Sequence, residues 1–171
     1  MNQMVRTFTI LLLSAAALFA AEVKSTKTYR NPLVGGASFA DPHVIKVGQS
    51  YYLYATTHTR GYDAYVSTNL VDWENKGSCF DDPRRGAWAP DVFHDAKGDG
   101  RFYLYYTDNL PDRKPGGAYK QIGVAVADSP LGPFVDKAVL ASDAIDAHLF
   151  RDDDGKYYLY YVDLFQGFKI R

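Results

Sequence analysis

The sequence predicts an all-β fold of propeller blades, and three observations carry that prediction. One phrase recurs three times, as "YYLYATT" at 51–57, "FYLYYTD" at 102–108 and "YYLYYVD" at 157–163, at spacings of 51 and 55 residues. Each phrase follows a turn ("VGQS", "AKGDGR" or "DDDGK"), and ahead of each turn stands a short apolar stretch marked by Val44-Ile45, Val92-Phe93 or Leu149-Phe150. No helical period occurs beyond the N-terminal leader, while the 14 Tyr and 10 Phe suit pleated, half-buried strands. Short strands repeating at intervals of about 50 residues are the mark of β-propeller blades. A solenoid or a sandwich is the alternative, but a sandwich has no need of the same phrase three times.

Residues 1–21 stand apart. Arg6 supplies a positive start, the stretch from Thr7 to Ala21 is uncharged and holds "ILLLSAAALFAA", and Ala20 and Ala21 close it with small side chains. This is the pattern of a secretory signal peptide. The run is shorter than the roughly 20 apolar residues of a membrane span. The expected product is secreted or periplasmic, with no membrane attachment after cleavage.

Residues 22–171 are enough for one domain with a core. A first blade is expected near 36–80, its outer strands in "AYVSTNLVDW" (64–73), and a second near 86–140, its outer strands in "GVAVADSPLGPF" (123–134). The third, 141–171, opens with the hairpin "AIDAHLFRDDDGKYYLYY" (144–161) around an Asp-Gly turn and reaches only "FQGFKIR", the start of its next strand. A propeller closes with about four to eight blades, and about two and a half leave a sheet edge unpaired. The sequence therefore reads as the N-terminal part of a longer, truncated domain.

The formal charge of −1, with both signs mixed along the chain, offers no basic stripe for nucleic acid. Cys79 is the only cysteine, so no internal disulfide can form, and with no base nearby in sequence it reads as a passive thiol. Aspartate dominates the acids, the only glutamates being Glu22 and Glu74.

Aligning the repeats on Val44, Val92 and Leu149 places Asp41, Ala89 and Asp146 three residues earlier, and His43, Asp91 and His148 two residues after those. First strands of blades line the central channel, so equivalent positions converge at one depth. Asp41 and Asp146 should then face a shared space. Two such carboxylates raise each other's pKa and call for a cation or a chemical purpose; opposed carboxylates are the machinery of glycoside hydrolysis. The structural alternative for each is a turn or capping role. Asp91 is either a ligand contact or an internal hydrogen-bonding group, and His43 and His148 are supporting histidines unless they join the aspartates around a metal. No metal or cofactor is expected. Trp88, beside the channel mouth, is a sugar platform or a core indole, and Phe39 is analogous. Phe39, Trp88, Asp91 and His148 are thus the candidate substrate contacts. Asp152, Asp153 and Asp154 lack the alternation and closing Glu of a calcium loop and form a hairpin turn.

The stretches "NPLVGGASFADPHVIKVGQSYYLYATTH" (31–58), "GAWAPDVF" (86–93), "IGVAVADSPLGPF" (122–134) and "AIDAHLFRDDDGKYYLYY" (144–161) together resemble glycoside hydrolase family 43, the five-bladed propeller arabinanases, α-L-arabinofuranosidases and β-xylosidases. The resemblance implies that Asp41 is the general base and that Asp146 orients the general acid and raises its pKa. It implies inversion at the anomeric carbon of arabinan, arabinoxylan or xylo-oligosaccharides. The family's acid is a glutamate that follows this aspartate, yet no glutamate follows Glu74 here, so the acid is expected beyond Arg171 and residues 1–171 alone should be inactive. Ala147 stands where many relatives have Pro. Two other readings remain: a fructan-active retaining propeller enzyme, whose "RDP" signature "FRDDDG" does not supply, and a non-catalytic sugar-binding propeller remnant.

Overall fold

A computed structural model describes Thr28 and residues 39–110, 119–165 and 167–170. The expected leader at 1–21 and the start of the first blade near residue 36 lie outside the described residues. Among the described residues there are eleven strands: β1 (Ala40–Val47), β2 (Ser50–Thr56), β3 (Gly61–Ser67), β4 (Glu74–Asp81), β5 (Trp88–His94), β6 (Phe102–Asn109), β7 (Lys120–Ala127), β8 (Val135–Ser142), β9 (Ala144–Arg151), β10 (Tyr157–Asp163) and β11 (Gly167–Ile170). They form three antiparallel sheets in simple sequential order, β1–β4, β5–β8 and β9–β11. The all-β, blade-by-blade fold is as the repeat predicts. "FQGFKIR" does open another strand, β11.

The three leading hairpins share one register. Val44 faces Leu53, Val92 faces Leu104 and Leu149 faces Leu159, so the repeated phrase occupies the same place in each blade. The hairpin of the third blade turns at Gly155, whose φ of 86° is open to glycine at no steric cost. Asp152 and Asp154 serve that turn: the Gly155 N–H donates to the Asp152 carbonyl at 2.9 Å, and Asp154 accepts from the Lys156 backbone and ammonium at 3.0 and 2.6 Å.

Blades pack face on face. Between the first and second lie Tyr54, Tyr62, Phe80, Leu104, Tyr106 and Phe134, all buried. A buried tyrosine needs a partner for its hydroxyl, and the neighbouring blade provides it: Tyr54 donates to the Pro130 carbonyl at 2.6 Å and Tyr62 to the Trp88 carbonyl. Cys79 is buried in this core and donates to the Tyr62 carbonyl at 3.2 Å, and burial pushes its thiol up to about 12, which leaves it unreactive. A second core of Tyr105, Ile122, Ala144, Ala147 and Tyr161 joins the second blade to the third.

One polar knot interrupts the first core. Asp82 and Asp108 are fully buried, and Arg84 reaches both, with Nε 2.8 Å from Asp82 Oδ1 and 3.5 Å from Asp108 Oδ2. Its Nη2 donates to the Tyr106 hydroxyl at 2.9 Å and to Asp136 at 3.1 Å. Removing one member of such a group strands buried charge. Arg84→Met should therefore cost about 3–5 kcal/mol of unfolding free energy in urea titrations; a loss within the error of the measurement would show that the knot is not structural.

Candidate functional site

Each innermost strand is interrupted at the same point. Ala40 pairs with Thr56 and His43 with Tyr54, leaving Asp41 and Pro42 opposite Ala55 alone. Likewise Trp88 pairs with Thr107 and Asp91 with Tyr105, and Ile145 pairs with Val162 and His148 with Tyr160. Ala89-Pro90 and Asp146-Ala147 are the extra pairs in those two blades. A β-bulge of this kind bends the strand and re-aims a side chain, and proline, which has no N–H to offer a ladder, is at home in it. The first bulge residue takes a left-handed backbone in two blades, φ being 51° at Asp41 and 57° at Asp146. Aspartate is among the few non-glycine residues that visit this region.

Asp41 and Asp146 thus occupy the same bulge position in the first and third blades. Asp41 Oδ2 accepts from the Thr56 hydroxyl at 3.2 Å, and the Asp146 backbone N–H donates to the hydroxyl of Thr107 at 3.0 Å. Thr56 and Thr107 are equivalent positions in the first and second blades, so the same threonine steadies one aspartate through its side chain and the other through its backbone. Partial burial and the negative charge of Asp41 together hold the Asp146 carboxyl above its ordinary value.

Asp146 also lines a hollow of about 390 Å³ with His148, Phe150 and Tyr160. The aromatic pair was not singled out from the sequence, although Phe150 follows His148 at the alternate position of β9 and Tyr160 is the cross-strand partner of His148. Of the expected sugar contacts, Trp88 is 38% exposed, with the Lys120 ammonium 3.6 Å from the centre of its ring and held by the Gly86 carbonyl at 2.8 Å. Phe39 is half-buried, its ring edge-on to Tyr65 at 5.1 Å.

Asp91, the third expected contact, is buried, and both its oxygens are engaged. Oδ1 lies 3.0 Å from His43 Nδ1 and 2.8 Å from His148 Nδ1, and Oδ2 accepts the Leu149 N–H at 3.1 Å. His148 is exposed, and the Asp91 carboxylate raises its imidazole above the ordinary value. Among the described residues this trio also has the make-up of a metal site, its ligand atoms lying within 4.8 Å of one another. The 2.8 Å between His148 Nδ1 and Asp91 Oδ1 is a hydrogen-bond length, however, and a proton on that nitrogen accounts for it.

The family model of glycosyl hydrolases family 43 matches residues 29–167. A xylosidase/arabinosidase of Humicola insolens is 33% identical over 147 residues, 74% of this chain and 25% of that protein. A xylosidase/arabinosidase of Bacteroides ovatus is 30% identical over 165 residues, 82% of this chain and 48% of that protein. Among solved structures, a thermostable family-43 glycoside hydrolase superimposes with a TM-score of 0.68 at 38% identity, covering 80% of this chain and 45% of its own. A β-xylosidase/α-arabinofuranosidase from a compost metagenome, in complex with xylotriose and calcium-free, gives 0.66 at 29% identity over 78% of this chain and 45% of its own. The chain thus spans between a quarter and about half of the length of these relatives.

Because the folded protein holds the Asp146 proton more tightly than the unfolded chain does, this group's contribution to stability is full below the ordinary value of 3.8 and is lost as pH rises through the folded value. Asparagine keeps the left-handed backbone and removes the charge. Asp146→Asn should therefore be more stable than the parent at about pH 7, with the gain fading toward about pH 3. Urea unfolding at both pH values checks this; a gain of equal size at each would remove the electrostatic explanation.

Proposed function

The chain belongs to glycosyl hydrolases family 43, and from that membership we propose that the whole protein is an exported, inverting glycoside hydrolase acting on arabinose- or xylose-containing polysaccharides or oligosaccharides. The observation that carries this reading is the pair Asp41 and Asp146, held in matching bulges of the first and third blades with the charge of one felt by the other.

In the proposed reaction Asp41, steadied by Thr56, is the general base: it takes a proton from the water that attacks the anomeric carbon on the face opposite the leaving group. Asp146 acts on the general acid. A negative charge beside a carboxyl group disfavours its ionisation, so Asp146 keeps the acid protonated at the working pH and orients it. Inversion places base and acid roughly 6.5–9.5 Å apart, leaving room for the water. No glutamate lies between Glu74 and Arg171, so the acid is assigned to a glutamate outside these residues, and residues 1–171 alone are expected to leave glycosides intact. Trp88, Phe39, Phe150 and Tyr160 offer flat apolar faces on which pentose rings can stack. The naming of the Humicola insolens and Bacteroides ovatus relatives as xylosidase/arabinosidase supports the substrate class.

Export is proposed from residues 1–21, and the mature N-terminus should fall close to Glu22 when the exported protein is sequenced. For the chemistry, the protein carrying whatever the reading frame encodes after Arg171 should cleave aryl arabinofuranosides or xylosides with inversion, read by NMR of the first-formed anomer. In it, Asp41→Asn should lower kcat about 10²–10⁴-fold. A retained anomer would sink the mechanism, and sugar binding without hydrolysis would favour a binding propeller.

A further inference from the structure

We propose that Asp91 is a positioning residue that sets the separation of Asp41 and Asp146, an inference that rests on the proposed roles of those two. The middle blade has no carboxylate at the rim, where Ala89 stands; its carboxylate comes two residues later, on the other side of the bulge. There it meets the residues that follow the two rim aspartates by the same two steps. His43 of β1 lies against β5, with Nε2 3.0 Å from the Val92 carbonyl and Nδ1 3.0 Å from Asp91 Oδ1. β9 is held twice, through His148 Nδ1 at 2.8 Å and the Leu149 N–H at 3.1 Å.

Both oxygens of Asp91 are thereby engaged by groups of the flanking strands, and its side chain is only 5% exposed. A sugar has little of this carboxylate left to bind. What the carboxylate does instead is tie β1 and β9 to β5 at points two or three residues from the reactive aspartates. Any sliding of either strand against β5 moves Asp41 or Asp146 with it. Because those two carboxylates repel each other, they will part if the tie is cut.

The separation can be read without substrate. In the 171-residue protein, the Asp146 carboxyl is titrated by carbon-13 NMR with and without Asp41→Asn; the substitution should lower the midpoint, and the size of that step reports how near the two groups are. With Asp91→Ala in the background the step should shrink, and an unchanged step in protein with a dispersed amide spectrum overturns the proposal. If Asp91→Ala does not fold, His148 decides, because its side chain is 60% exposed and can be truncated without opening a core. His148→Ala should shrink the step, and His148→Asn, whose amide N–H can stand in for Nδ1–H, should restore it; equal steps in all three proteins overturn the proposal. In the whole enzyme Asp91→Ala or His148→Ala should lower kcat by about 10²-fold, the cost of a misplacement near 1 Å, with KM little changed. A shrunken step in a protein that hydrolyses nothing in any form would leave the positioning role standing and remove the proposed function.

Discussion

The one-residue bulge at the head of each innermost strand is the constraint on which the site depends. Downstream, the apolar pairs Val44–Leu53, Val92–Leu104 and Leu149–Leu159 lock the hairpin register. Upstream, Ala40–Thr56, Trp88–Thr107 and Ile145–Val162 lock it again, one residue out of step. The extra residue has nowhere to pair. Without it, the alternation of the strand would continue, and each side chain beyond that point would change faces. The bulge therefore lets one strand serve two purposes, packing the residues below it into the core, as with the buried Val92, while presenting a rim residue above.

That device has a cost, which the rest of the fold offsets. Left-handed aspartates are strained by comparison with ordinary strand residues, and two neighbouring carboxylates repel. Stability comes from where the blades meet, in stacked and tilted rings such as Phe80 on Tyr106 at 4.9 Å and Tyr62 on Phe80 at 6.1 Å. The buried hydroxyls of Tyr54 and Tyr62 donate across the blade boundary. Arg84 adds a directional element: it gathers carboxylates from the loop after β4, from β6 and from β8, and so fixes how the second blade sits on the end of the first. Buried ion pairs contribute little net stability compared with apolar packing; their geometry selects one docking of the two sheets.

Much of this was legible in the sequence because the repeat makes equivalent positions visible. Three copies of one phrase reveal the hairpins, and the offset from Val44, Val92 and Leu149 brings Asp41 and Asp146 into register before any coordinates are known. The bulge itself was less visible. Its trace is Pro42 and Pro90 inside what otherwise reads as a strand, and the third blade, with Ala147, lacks even that. Thr56 and Thr107 were hidden because their roles depend on contacts across a bulge and across a blade boundary, which no local pattern encodes. Lys120 was hidden for a related reason: its ammonium lies against Trp88 from the far side of the same blade, and only the fold brings the two together.

The distribution of charge over the three blades has its own logic. Were the middle blade to carry a carboxylate at Ala89, three negative charges would crowd the rim, and the value of one carboxylate tuning another would be lost in general repulsion. With Ala89 there, the rim holds two. One layer deeper the order is reversed, and a single buried carboxylate, Asp91, stands between two imidazoles, where each contact is attractive. Repulsion in the upper layer pushes β1 and β9 apart while attraction in the lower layer draws both toward β5. The two repeat positions, filled differently in successive blades, thus provide both the electrostatic tension between the rim carboxylates and the restraint proposed to keep them at a fixed width.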